Sequence, residues 1–475
     1  MNNRPPKQLP FFLLIEIVAI LGFTFFSLSA TYQGVEDFKQ LCAIGSIFIA
    51  IVLIMNIRFE KTMLSPFVFV AMCFILFQFG TPILYGINEK YANYYVEYIG
   101  IQTAFEGAKY SILCILLFLL GGLWGTQGDK QSIEVKKNFL SNDALIYMTA
   151  KILFIVTGII AIPLTVAVMF TSLQYGYAYV KLDTMGYYNG ITNFAKTIFV
   201  ASGFLSLMYA KNRTNQRAIL FTLLGYSIVS LVSGGRTEGL SSLLALMYFQ
   251  LCRSSKKKNF SKYVIGGLGI IAIMFILVYV ANSRMGKTVE EINLFSILES
   301  MIDEMGFNFT SICFTMDYVP HTTNYQYGLS YINSLICLIP ASIDPTGIIA
   351  AIKQTGPELW LANQLKNSYG ALFGFGVGYS VIAESFYNFG KFGFIVIYLQ
   401  GYFIARLLSL NYKNKISEYI KLILIYALTT YPRRSFFTLL KVVEYDILLL
   451  LLIVWLVYNM TRRGRRIHEK ETIGN

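Results

Sequence analysis

Apolar runs of roughly 15 to 22 residues, each long enough to cross a hydrocarbon core as a helix, recur from Leu9 to the end of the chain. Polar turns separate them. The runs at 9–30, 40–57, 63–85, 104–124, 144–172, 192–210, 218–233, 238–252, 263–281, 391–410, 417–431 and 437–459 predict an all-α, polytopic integral membrane protein with about twelve transmembrane helices. Hydrophobic residues make up 55% of the 475 and charged residues 14%, with a mean hydropathy of +0.56, a balance too apolar for a soluble protein. No long polar region interrupts the pattern, so residues 1–475 are expected to form a single integral membrane domain. Arg4 and Lys7 precede a first run long enough to span, and no small-residue cleavage site follows, so the first helix is expected to stay as an anchor.

The formal charge of +13 does not point to nucleic acid once the basic residues are placed. With the N-terminus in the cytoplasm, the dense clusters fall on one side: Arg58 and Lys61; Lys130, Lys136 and Lys137; Lys211, Arg213 and Arg217; Arg253 with Lys256, Lys257, Lys258 and Lys262; Lys413 and Lys415; Arg462 to Arg466. The charge is topological. The other side receives the Tyr-rich loops, the tip SGGRTEG, a large extracytoplasmic loop at 282–375 and the turn YPRRSFF. Arg236 and the pair Arg433 and Arg434 thus break the charge rule, and residues that break a rule invite a functional explanation.

Eighteen residues separate Arg217 from Arg236 and sixteen separate Arg236 from Arg253. Those are about 27 Å and 24 Å of helix, which holds Arg236 just below the outer lip of a core about 30 Å thick. A guanidinium there needs an anion. Gly234 and Gly235 permit close backbone approach and the following helix offers its N-terminal amides, so the tip suits a lipid diphosphate. The plainer alternative is that Arg236 snorkels to ordinary headgroups.

ALFGFGVGYSVIAESFYNFGKFGF, from Ala371 to Phe394, carries glycines on both sides of a short apolar helix on which Glu384 and Asn388 share a face. A carboxylate beside hydrocarbon is costly and therefore a functional candidate. The 282–375 loop, rich in aromatics and amides and without obvious regular structure, has the composition of a glycan site. His321 and Glu384 are the candidate proton acceptors. Cys313 and Cys337 are expected to remain unpaired. No Asp-x-Asp and no GxxxxGK[ST] loop occurs, so neither a metal, a nucleotide nor another cofactor is called for.

The span layout, SGGRTEG at an outer tip, YGLSYINSL and IPASIDP in the long loop, and then AESFYNFG followed by a further glycine, together resemble the oligosaccharide repeat-unit polymerases, the Wzy-type O-antigen or capsule polymerases. The resemblance implies a GT-C-like fold shared with O-antigen ligases. It also implies a bacterial inner-membrane enzyme that takes a growing glycan from its polyprenyl diphosphate and joins it to a new lipid-linked repeat unit. A chain-length regulator and the flippase of the same pathway are the implied partners. On this reading Arg236, helped by Arg284 or by Arg433 and Arg434, stabilises the diphosphate leaving group. Glu384 or His321 takes the hydroxyl proton, and Tyr387, Asn388 and Tyr331 hold sugar. A ligase or a flippase for the same lipid-linked glycan is the rival.

Overall fold

The computed structural model describes residues 9–88, 98–127, 132–133, 142–183, 190–253, 269, 294–339, 344–369, 378–412 and 414–473. Its helices, in chain order, begin with α1 (Leu9–Ser29), α2 (Val35–Glu60), α3 (Pro66–Ile87), α4 (Ile101–Gly125), α5 (Asp143–Asp183), α6 (Gly190–Tyr209), α7 (Arg213–Ser233) and α8 (Arg236–Arg253). They continue with α9 (Leu294–Gly306), α10 (Phe309–Tyr318), α11 (Leu329–Ile336), α12 (Ile348–Gln354), α13 (Pro357–Tyr369), α14 (Val381–Phe389), α15 (Phe394–Ser409), α16 (Lys415–Thr430), α17 (Phe436–Val442) and α18 (Leu450–Ile473). Among the described residues the only strands are a two-residue parallel pair, Ser132–Ile133 against Asn411–Tyr412. Apart from that pair, the regular structure of the described residues is helical, as the apolar runs predict.

Among the described residues seven helical stretches are long and apolar enough to cross a membrane: Leu9–Ser29, Val35–Glu60, Pro66–Ile87, Ile101–Gly125, Asp143–Tyr175, Arg213–Ser233 and Val381–Ser409. They coincide with seven of the twelve expected runs. The expected runs at 192–210, 238–252, 417–431 and 437–459 are helical too, in α6, α8, α16 and α17 to α18, the last joined by a π-helical turn at Val443–Leu449. The run at 263–281 lies, apart from Gly269, outside the described residues.

The chain divides into two compact units, 1–131 with 291–410 and 428–440, and 132–290 with 411–427 and 441–475. In the first, α4 and α15 meet backbone to backbone. A Cβ on Gly121 would come within 2.2 Å of the Tyr398 carbonyl oxygen, one on Gly125 within 2.2 Å of that of Tyr402, and one on Gly401 within 2.2 Å of that of Phe118. Small residues allow this approach where lipid supplies no hydrophobic drive between helices. A second crossing, Gly80 of α3 against Gly306 of α9, draws the long loop onto the bundle; a Cβ on Gly306 would lie 2.0 Å from the Thr81 nitrogen.

Where it is described, the loop at 282–375 differs from its expected irregular form, for those residues carry the short helices α9 to α13. The reason is visible in α9, where Leu294, Leu298, Met301, Ile302 and Met305 recur at helical spacing against Glu299, Asp303 and Glu304. In the second unit, Phe154 stacks on Phe199 at 4.6 Å, and Phe199 meets Tyr226 edge-on, in the core that α5, α6 and α7 share. Lys415 pairs with Asp143 at 2.7 Å, anchoring α16 to the start of α5.

Candidate functional site

The helix α14 is only nine residues long, yet Val381 to Asn388 are all buried, polar residues included. Each polar group is therefore expected to find a partner, since a buried orphan is costly. Ser380 caps the helix, its hydroxyl accepting from the Ile382 and Ala383 amides at 3.1 and 3.2 Å while donating to Gln78 of α3. Gln78 in turn donates to the Pro432 carbonyl. One α3 side chain thus fixes both the start of α14 and the Tyr431–Arg433 turn.

Glu384 sits one turn into α14, and both of its oxygens are occupied. Oε1 accepts from the Ser330 hydroxyl at 2.9 Å and Oε2 from the Phe436 amide at 2.7 Å. The side chain is fully buried. It ties the start of α11 to the start of α17. Asn388 completes the clamp. Its Nδ2 donates to the Ser330 hydroxyl at 2.7 Å and to the Glu384 carbonyl at 2.8 Å, and its Oδ1 accepts from the Gly328 amide at 3.0 Å. Gly328 has φ +90°, a conformation glycine adopts freely, and that turn is what lets α11 begin against α14.

Tyr331 packs parallel to Phe389 at 6.4 Å and edge-on to Phe436 at 5.5 Å, while its hydroxyl is buried without a partner among the described residues. Burial, with the Glu384 carboxylate nearby, holds the Tyr331 phenol well above its ordinary value, so it stays protonated and able to donate. Tyr387 lies against Trp360 of α13 with ring centroids 4.5 Å apart.

The glycines of the AESFYNFGKFGF stretch have a local reason. Gly390 has φ +57° and turns against Tyr325, and a Cβ on Gly393 would lie 2.4 Å from the Ser385 carbonyl oxygen. The chain can pass from α14 into α15 along this path only with glycine at these two positions.

Arg433 and Arg434 are half-buried in the turn between α16 and α17. The next two backbone amides each hold a carboxylate. Phe436 donates to Glu384, and Ser435 donates to Glu358 Oε1 at 2.8 Å, with the Ser435 hydroxyl also donating at 2.8 Å and the Thr438 hydroxyl at 3.4 Å. A single turn thus carries two arginines and anchors two glutamates.

The structure therefore brings Tyr331, Glu384, Tyr387, Asn388, Arg433 and Arg434 together in the first unit. His321 lies apart from their hydrogen bonds, exposed in the turn after α10 and without a hydrogen bond or ion pair to the described residues. Arg236 starts α8 in the second unit, just after Gly234, whose φ of +104° closes α7; its side chain lies outside what is described. Arg284 lies outside the described residues altogether. Cys313 and Cys337 are both buried and are not joined by a disulfide. Among the described residues no group of three or more His, Cys, Asp or Glu side chains is placed to hold a metal ion.

Glu358 was not among the sequence candidates. Its signal in GPELW is ordinary, a proline at the first helical position and an acid in the first turn, which any helix start can carry.

No curated protein and no solved structure matches the chain. The family model for the O-antigen polysaccharide polymerase Wzy matches residues 12–463, nearly the whole length. With multiple apolar helices and a polar, carboxylate-bearing cluster at the turn after α16, this chain belongs to the family of O-antigen polysaccharide polymerases, Wzy.

Proposed function

We propose that this multi-pass membrane protein polymerises its lipid-linked repeat units from polyprenyl diphosphate donors, without a metal, on the outer face of the bacterial inner membrane. Membership of the Wzy family implies O-antigen repeat-unit polymerisation itself and does not favour a ligase or a flippase. On this reading the twelve expected spans form one GT-C-like domain. A chain-length regulator and the pathway's flippase are its partners.

The observation that carries the reading at the site is the turn from Tyr431 to Phe436, where two arginines stand immediately before two amides that fix carboxylates. Glycosyl transfer from a lipid diphosphate needs cationic donors where charge develops on the leaving group. It also needs a rigid polar region for the attacking sugar. Arg433 and Arg434, rather than Arg236 as the sequence suggests, serve the first need on this reading, with planar forks matched to phosphate oxygens. Arg236, at the other outer tip, receives the second diphosphate that a polymerase must hold. Glu384 and Asn388 position α11 and α17 around the attacking sugar, and Tyr331 and Tyr387 present aromatic faces to it.

A deletion strain tests this on a glycan gel. Loss of a polymerase leaves single repeat units attached, and that is the expected pattern; a strain with no attached repeat units would instead identify a ligase, and one with no surface export a flippase.

A further inference from the structure

Ser330, which donates to Glu384, also lines a cavity of about 130 Å³ whose other walls come from α11, α12, the start of α13, Ser435 and Phe437. A single water needs about a tenth of that space. Ser330, Asn333 and Thr355 give it hydroxyl and amide groups, Phe437 an aromatic face, and Lys353 and Glu358 its two charges. Those charges cancel, which suits a neutral polyol better than a diphosphate. Mixed hydrogen-bonding and apolar lining is also what a sugar ring requires.

Glu358 differs from Glu384 in what its oxygens are doing. It is half-buried, and its three donors, the Ser435 amide and the hydroxyls of Ser435 and Thr438, all fall on Oε1. Among the described residues Oε2 has no hydrogen-bond partner, so the carboxylate is held rigidly by one oxygen and keeps acceptor capacity on the other. Its position is fixed by the same turn that carries Arg433 and Arg434.

We infer that this cavity is the acceptor-sugar subsite and that Glu358 is the base that takes the proton from the attacking hydroxyl, an inference that rests on the polymerase reading above. As the hydroxyl O–H bond breaks, its proton passes to Glu358 Oε2 and the oxygen forms a bond to the donor's anomeric carbon. The bond from that carbon to the diphosphate oxygen breaks, and the diphosphate leaves with the electron pair. No oxidant, metal or nucleotide enters the balance.

The test uses full-length protein in detergent with purified lipid-linked repeat units, measuring binding of the units, turnover, and the pH dependence of kcat/KM. Glu358→Gln is expected to bind repeat units within about threefold of wild type, and its turnover should fall by about 10² to 10⁴. The acidic fall-off of the wild-type pH profile should disappear with it, a change that a merely structural role would not produce. Asn333→Ala supplies the second arm, with a raised KM for the acceptor and the wild-type pH profile retained. It keeps the subsite testable if Glu358→Gln does not fold. Wild-type turnover and pH profile in Glu358→Gln, or an unchanged acceptor KM in Asn333→Ala, would overturn the assignment. A failure of the polymerase reading looks different, because wild type itself would then elongate nothing.

Discussion

Two buried or half-buried glutamates lie within one turn's reach, and what each oxygen is committed to separates their roles. Glu384 spends both oxygens on Ser330 and Phe436, so its removal leaves a hydroxyl and an amide without their acceptor in a buried place. Glu384→Ala should therefore destabilise the protein by about 3 kcal/mol, as a buried hydroxyl and a buried amide each lose their acceptor. Detergent melting measures this. Glu384→Gln keeps an oxygen for the Phe436 amide and sets an amide against the Ser330 hydroxyl, so its turnover should stay within about tenfold of wild type. A loss of about 10² to 10⁴ at unchanged melting temperature would move the chemistry to Glu384 itself. The pairing of Glu384 with Asn388 was legible from their spacing of four. Their partners were not, because Ser330 lies 54 residues from Glu384 and 58 from Asn388. Glu358 was illegible for the same reason, since Ser435, which fixes it, follows 77 residues later.

At the scale of elements, helix type followed from apolar runs and helix contacts did not. The runs mark α1 to α5, but nothing in a run of leucines tells which glycine faces a neighbouring backbone. Gly401 does so, and the carbonyl oxygen of Phe118 leaves no room for a methyl group. Gly401→Ala should force α4 and α15 apart at a cost of about 1–3 kcal/mol, seen as a lower melting temperature and reduced polymer in cells. Gly225, with nothing within 4 Å of its Cβ position, is the control, and Gly225→Ala should not lower the melting temperature. Equal effects at the two positions would contradict the backbone-to-backbone packing of α4 and α15. In the long loop composition and pattern point different ways: its aromatics and amides suit an irregular glycan surface, whereas the 3–4 spacing in α9 specifies an amphipathic helix.

For the whole molecule, the placement of basic loops predicts both termini in the cytoplasm and residues 282–375 outside. Single cysteines at Thr323 and Ser255, in a background without native cysteines, test it. An impermeant maleimide applied to intact spheroplasts should label the Thr323→Cys protein and spare the Ser255→Cys protein. The opposite pattern would invert the topology and put the proposed site on the wrong face for a polyprenyl-linked substrate. The most direct measurement of the central claim is reconstitution: the purified chain, given only purified lipid-linked repeat units and EDTA, followed by gel or mass spectrometry of the released glycan. A ladder of increasing repeat number is expected with no added nucleotide or metal. Repeat units that remain single, or a ladder that appears only when magnesium or manganese is restored, would contradict it.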